Sequence, residues 1–330
     1  MIGPNGAGKS TLLQLLALLR WPSAGEVWID GEKATSANAL RLRRRMAVVF
    51  QEPLLLDTTV ERNVATGLEL RGVPAAERRR RTGEWMERFG IADLARRSSR
   101  ALSGGEAQRT SLARAFALGP EVLFLDEPFS ALDAPTRTAI SQDLLGVLRA
   151  TGTTAVLVTH DRDEALALGD RIGVMIRGEL RQLGKPEEVF GAPVDSEVAE
   201  FVGIETIVPG MVVACEDGLA QVRVGDRVVE VVSPLGIGSP VLFCLRPEDV
   251  TLQPLPAGEP LHTSARNRLG GRVVEIGVWA SQVRVVVDCG FPIAAAITRR
   301  SAAELGIERG MPVLASFKAT SAHLIPRAHS

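Results

Sequence analysis

The segment Gly3-Pro4-Asn5-Gly6-Ala7-Gly8-Lys9-Ser10, with Thr11 behind it, sets spaced glycines ahead of a lysine and two hydroxyls. Glycines at this spacing let successive backbone N–H groups turn inward on a polyphosphate. Lys9 is placed to bridge the β- and γ-phosphates of a nucleotide, and the Ser10 hydroxyl to ligate Mg²⁺. The leucine-rich stretch from Leu12 onward reads as a helix whose positive N-terminal end points at the same phosphates. Val122-Leu123-Phe124-Leu125-Asp126-Glu127 is a buried strand closing on two acids, where open α/β sheets place their ligands. Asp126 suits a metal shell, and Glu127 suits taking a proton from an attacking water. His160, after the apolar run Ala155 to Val158, is in isolation more often structural than catalytic.

These groups need a frame. Met46 to Phe50, Val122 to Leu125, Ala155 to Val158 and Arg171 to Ile176 are short apolar runs separated by helical stretches, which predicts a parallel sheet covered by helices. Between Val60 and Arg100 the pattern turns arginine- and glutamate-rich, with Trp85, Met86 and Phe89 at helical spacing. It reads as a helical insertion at about 60–100 with those residues as its core. After about residue 205 alternating stretches take over and predict a β domain. This domain repeats itself: Gly210 to Val213 matches Gly271 to Val274, and Gln221 to Val224 matches Gln282 to Val285, both at an offset of 61 (271 minus 210). Gly238 to Leu242 matches Gly310 to Leu314 at an offset of 72 (310 minus 238). Two small OB-like β repeats follow, 206–260 and 262–330.

Between the phosphate loop and Asp126 lies Leu102-Ser103-Gly104-Gly105-Glu106-Ala107-Gln108-Arg109, and with it the chain resembles the ABC ATPases. The order of motifs agrees: phosphate loop, Gln51 in Phe50-Gln51-Glu52, this signature, Asp126-Glu127, Ser130-Ala131-Leu132-Asp133 and His160. The resemblance implies a P-loop NTPase domain over 1–205, with ATP and Mg²⁺ as cofactors. It implies a head-to-tail dimer, a homodimer or a paired ATPase subunit, in which one subunit's ATP is covered by the partner's Ser103, Gly104, Gly105 and Gln108. Ser103 can cap the following helix, and the glycines offer bare N–H groups to a γ-phosphate. By the same resemblance Gln51, with Ser10 and Asp126, attends the metal and the attacking water, His160 holds the γ-phosphate, and Asp133 joins the two sites. The insertion would dock transmembrane permease subunits. One feature departs from the family, in which a strand and an adenine-stacking aromatic precede the loop: only Met1 and Ile2 precede Gly3 here. Either the sequence begins inside the domain or the ATPase is damaged, and the intact later motifs favour the first.

The C-terminal repeats resemble accessory domains of prokaryotic importer ATPases, with Leu245-Arg246-Pro247-Glu248-Asp249 in the first. Thr263 to Gly271, Ile297 to Ser301, Glu304 to Gly306 and Phe317 to Ser321 resemble the molybdate-binding Mop domain. That resemblance implies an oxyanion site, with Ser264, Arg266, Asn267, Lys318 and Ser321 as contacts. Import of molybdate or tungstate is the first reading. Import of sulfate, iron, polyamine or sugar is the alternative, and an oxyanion-storage protein is the alternative of another class.

Composition narrows the classes. The net charge of -1, without a basic half, argues against a sequence-independent nucleic-acid binder. The arginine runs 43–45 and 78–81 read as solvated faces. Lysine occurs only at positions 9, 33, 185 and 318 of a chain with 38 basic residues, so each survivor is a candidate for a task needing a compact ammonium. Cys215, Cys244 and Cys289 lack paired spacing and read as ordinary thiols. No apolar run approaches the roughly 18 residues that span a bilayer, and no signal-peptide pattern opens the chain. The expected place is the cytoplasmic face of a membrane, with permease subunits and an external solute-binding protein as partners.

Overall fold

The computed structural model describes residues 1–255, 263–279 and 282–327. The chain divides into two units, Met1–Leu180 and Arg181–Ser330.

In the first unit, helix α1 (Lys9–Leu16) leaves the glycine loop, and a small hairpin, β1 (Trp28–Ile29) and β2 (Glu32–Lys33), leads through α2 (Ala39–Arg43) to β3 (Met46–Val49). Helices α3 (Val60–Leu70), α4 (Ala75–Arg88) and α5 (Gly104–Ala117) follow. Strand and helix then alternate through β4 (Val122–Asp126), α6 (Ala134–Thr151), β5 (Thr154–Val158), α7 (Arg162–Leu168) and β6 (Ile172–Ile176) before β7 (Glu179–Gly184) leaves the unit. The apolar runs become parallel strands as their lack of alternation predicts: β4 pairs with β3 on one edge and β5 on the other. The next place is held by Met1 and Ile2. Thr159 N donates to Met1 O at 3.1 Å, while Ile2 exchanges bonds of 2.8 Å with Gly173 O and Met175 N. A strand position between β5 and β6 therefore feeds the phosphate loop directly, over a run too short to read from sequence.

The insertion folds as α3 and α4 against α5. Trp85 stacks on Phe116 at 5.1 Å and Phe89 lies 5.7 Å from the same ring, so the aromatics are core. The outer face of α4 carries Glu77 pairs with Arg80 and Arg81 and an Arg88–Glu84 pair, a solvated face as expected.

The second unit opens with α8 (Pro186–Gly191) and α9 (Ser196–Phe201). Next come β8 (Thr206–Glu216), β9 (Leu219–Val224), β10 (Arg227–Val232), β11 (Pro240–Leu245) and β12 (Thr251–Pro254). The second set is β13 (Asn267–Trp279), β14 (Gln282–Asp288), β15 (Pro292–Thr298), α10 (Arg299–Glu304), β16 (Pro312–Phe317) and β17 (Ala322–Pro326). The repeat is real in three dimensions: β8 and β13 carry the same bulge, after Val212 and after Val273, again 61 apart (273 minus 212).

Two boundaries differ from the sequence reading. Composition puts the domain junction at 205/206, whereas the structure puts it at Leu180/Arg181. The Arg246 guanidinium donates to the carbonyls of Phe190 (2.6 Å) and Val202 (3.0 Å), which draws α8 and α9 into the second unit. The two repeats are also not self-contained. The sheets run β10-β9-β8-β11-β17 and β12-β16-β13-β14-β15, so each repeat gives its last strand to the other. Their junction at 260–262 lies outside the described residues. One continuous core joins both sheets, with Val222, Phe243, Val285 and Ile293 fully buried and Phe243 5.8 Å from Phe317. The exposed Cys215 and the buried Cys244 and Cys289 are all free thiols.

Candidate active site

The loop is shaped by backbone that only glycine adopts cheaply: φ is 79° at Gly6 and 92° at Gly8. At Gly3 the constraint is space, because a Cβ there would lie 2.1 Å from the Met175 carbonyl oxygen. Lys9 is buried, and its ammonium donates to the carbonyls of Gly3 (2.8 Å) and Pro4 (3.0 Å), which stretches the side chain along the inside of the loop. Burial lowers its pKa, while the Glu127 and Asp126 carboxylates oppose that shift. Asn5 and Gly6 are exposed on the rim, and Thr11 is exposed on the first turn of α1.

Ser10 and Asp126, 116 residues apart in sequence, meet at the end of β4, where Ser10 Oγ donates to Asp126 Oδ1 at 2.8 Å. Burial raises the Asp126 pKa against this hydrogen bond, which lowers it. A hydroxyl and a carboxylate side by side are hard oxygen donors of the kind Mg²⁺ takes alongside phosphate oxygens and water, so the residues present fit that ion. Gln51 follows β3, the strand next to β4, with its side chain exposed.

Glu127 sits one residue past the strand at φ 46°, a left-handed backbone uncommon for a residue with a Cβ. Three bonds fix it: its N–H donates to Val158 O at 2.9 Å, and its carbonyl accepts from Ser130 N (3.3 Å) and Ser130 Oγ (3.1 Å). The turn brings its carboxylate 3.1 Å from His160 Nδ1. Arg137, a residue the motifs do not mark, ties the loops behind this pair by donating to Asp161 Oδ2 at 2.9 Å and to Leu132 O at 3.2 Å. Its signal in the sequence is position alone, one helical turn after Asp133.

At the signature, Ser103 caps α5 as expected: Ser103 Oγ accepts from Glu106 N at 3.3 Å and the Glu106 carboxylate accepts from Ser103 N at 2.7 Å. Ser103 and Gly104 are exposed. A Cβ on Gly105 would lie 2.7 Å from Thr136 Cγ2, so the bare glycine lets α5 approach the start of α6. Asp133 caps α6 through Thr136 N at 3.3 Å and is exposed. Gln108, the fourth signature residue, lies deeper than the other three. It is 2% exposed on the inner face of α5, and its Nε2 has no hydrogen-bond partner among the described residues.

In the second unit a cavity of about 470 Å³ is lined by Lys318, Ser264 and Ser321, three of the five residues expected there. The other two are engaged elsewhere. Arg266 pairs with Glu230, and Asn267 is buried with its amide spent on the Glu230 backbone, accepting from N and donating to O, each at 2.7 Å. Arg268, Thr251 and Ser316 line the cavity in their place, and so do the acids Glu248 and Asp249. Arg268 Nη2 donates to Thr263 Oγ1 at 3.0 Å. Burial raises the Asp249 pKa, and Arg246 opposes it. Among the described residues no helix is long and apolar enough to cross a membrane.

Comparison with known proteins agrees with this geometry. The ABC transporter family model matches residues 1–130 and the TOBE domain model residues 263–324. The molybdate/tungstate import ATP-binding protein WtpC of Pyrococcus horikoshii is 39% identical over 328 residues, 99% of this chain and 91% of that protein. The Fe(3+) ions import ATP-binding protein FbpC of Brucella abortus is 39% identical over 277 residues, 83% of this chain and 78% of that one. Among solved structures, cbiO1 of Clostridium perfringens, part of the ABC transporter complex cbiONQ, is similar with a TM-score of 0.54 at 32% identity, covering 61% of this chain and 80% of its own. The ADP- and Pi-bound dimer of the ATP-binding cassette MJ0796 gives 0.51 at 34% identity, covering 56% and 83%. The chain, with a glycine loop fed by a strand position, acids at the end of β4 two places away in the sheet and a capped signature helix, belongs to the ABC transporter ATP-binding proteins as an ATP-hydrolysing transport subunit.

Proposed function

We propose that this ATPase drives import of molybdate or tungstate through transmembrane permease subunits supplied by a solute-binding protein, working from the cytoplasmic face of the membrane. Residues Gly3 to Thr11 hold the ATP phosphates, with the Lys9 ammonium moving from loop carbonyls to phosphate oxygens. Ser10, Asp126 and Gln51 would hold a Mg²⁺ ion arriving with the nucleotide, which would supply neutralisation of phosphate charge. Glu127 accepts the proton of the attacking water, and His160 steadies both that carboxylate and the γ-phosphate. Ser103, Gly104 and Gly105 close on the ATP of a paired subunit, and Asp133 links the two sites. The MJ0796 dimer supports such a pairing.

The cavity beside Lys318 carries the substrate assignment. Two cations and five hydroxyls line it, and charged and hydroxyl donors are what a tetrahedral dianion needs. The near-full-length similarity to WtpC supports the same reading. Iron import is the second reading, favoured by the equal identity of the FbpC relatives. Uptake of labelled tungstate and of ferric iron, in cells carrying and lacking the gene, separates them. Loss of tungstate uptake with iron uptake intact is expected; the reverse assigns iron.

A further inference from the structure

The two sheets of the second unit correspond residue by residue. Thr206 pairs with Leu245 as Asn267 pairs with Phe317, shifts of 61 (267 minus 206) and 72 (317 minus 245). The exchanged strands keep the second shift, with Cys244 opposite His323 as Ser316 is opposite Thr251 (323 minus 251 is again 72). Asp249 and Ser321 are then counterparts of each other, and their side chains interact, which places them at the pseudo-twofold axis.

This symmetry demands a second pocket, the counterpart of the cavity beside Lys318. Its lysine position is Arg246 (318 minus 246), and that guanidinium is committed to the carbonyls of Phe190 and Val202, at 2.6 and 3.0 Å, with the Phe190 ring 5.9 Å away. The position of Thr251 is His323, whose Nε2 lies 3.2 Å from Pro193 O. The polar lining is also lost: Ser316, Ser264 and Arg268 correspond to Cys244, Gly203 and Ile207. The segment around α8 and α9 therefore occupies the place a ligand would take.

We infer that the second unit has one working oxyanion pocket per chain, on Lys318, and that its symmetry mate is stoppered by residues 186–204 with Arg246 as the anchor of the stopper. The first clause rests on the oxyanion reading given above; the second does not. The stopper is the segment that follows β7 out of the ATPase unit. The turn from Arg246 to Asp249 holds it at one end and lines the open pocket at the other. A ligand against Asp249 thus acts on the same short turn that anchors the stopper.

Calorimetry of the full chain with tungstate should give one site per chain, weakened at least tenfold by Lys318→Ala. Hydrogen exchange of residues 186–204 should quicken at least tenfold in Arg246→Ala and stay as in the parent chain in Lys318→Ala. Two sites per chain, or unchanged exchange of 186–204 in a folded Arg246→Ala chain, overturns the inference. Absence of tungstate binding in the folded parent chain removes the oxyanion reading and its single pocket, while the exchange measurement still decides the stopper.

Discussion

His160 Nδ1 lies 3.1 Å from Glu127 Oε2 although 33 residues separate the two, and the contact depends on Glu127 holding a left-handed φ of 46°. That conformation costs roughly 1–2 kcal/mol for a residue with a side chain. The bonds to Val158 and Ser130 hold the turn in place, and its result is a carboxylate aimed away from the strand toward the phosphate loop.

Glu127→Gln keeps the size of the side chain and removes its basicity. The variant should bind ATP as tightly as the parent chain and hydrolyse it at least ~100-fold more slowly, the scale of a lost general base. Steady-state phosphate release and nucleotide binding measured on the same preparation check both halves. Parental turnover would end the assignment of Glu127.

The parallel strands and the phosphate loop were legible in the sequence because their physics is local: doubly buried strands lack alternation, and a polyphosphate loop needs glycine at fixed positions. The burial of Gln108 was less legible, because its place in the signature does not say which face of α5 it takes. Its helical spacing to the buried Leu112 and Ala115, four and seven residues on along one face, carries that signal. The strand exchange was not legible at all. Leu252 and Pro254 of β12 match Leu324 and Pro326 of β17 in register, so either strand would complete either sheet, and only the tertiary path selects between them.

The glycines of the loop should separate by mechanism. Gly3→Ala sets a Cβ against backbone, the Met175 carbonyl at 2.1 Å, and relief requires moving β6. A loss of about 3 kcal/mol, the upper range for overpacking, is expected. Gly6→Ala meets no atom within 4 Å and bears only the left-handed φ of 79°, about 1–2 kcal/mol. Denaturant unfolding orders the two, and equal losses would contradict the packing around Gly3.

Strand exchange predicts the behaviour of an isolated second repeat. A fragment of residues 263–330 lacks β12 for its own sheet and β11 for β17. Two copies can supply each other's missing strand, recreating with true symmetry what the chain does with pseudo-symmetry. Sedimentation should therefore find a dimer, dissociating into poorly folded chains on dilution. A folded monomer at all concentrations would mean that exchange is dispensable.

The last prediction follows from the acids in the cavity. Glu248 and Asp249 line it together with Lys318 and Arg268, and an ionised carboxylate beside a bound dianion is repulsive. Burial raises the Asp249 pKa and Glu248 adds to the rise, while Arg246 and Ser321 oppose it. Once protonated, the Asp249 carboxyl can donate a hydrogen bond to the anion. Binding thus favours the protonated form, takes up a proton, and strengthens as pH falls toward the raised pKa. Above that pKa the tungstate affinity should fall by up to about tenfold per pH unit, the limit for linkage to one proton. Asp249→Asn, which donates at every pH, should flatten this dependence and bind more tightly than the parent chain near neutrality. Calorimetry of the full chain in buffers of different ionisation heat measures the proton uptake directly. A slope that survives in Asp249→Asn would remove Asp249 from contact with the anion.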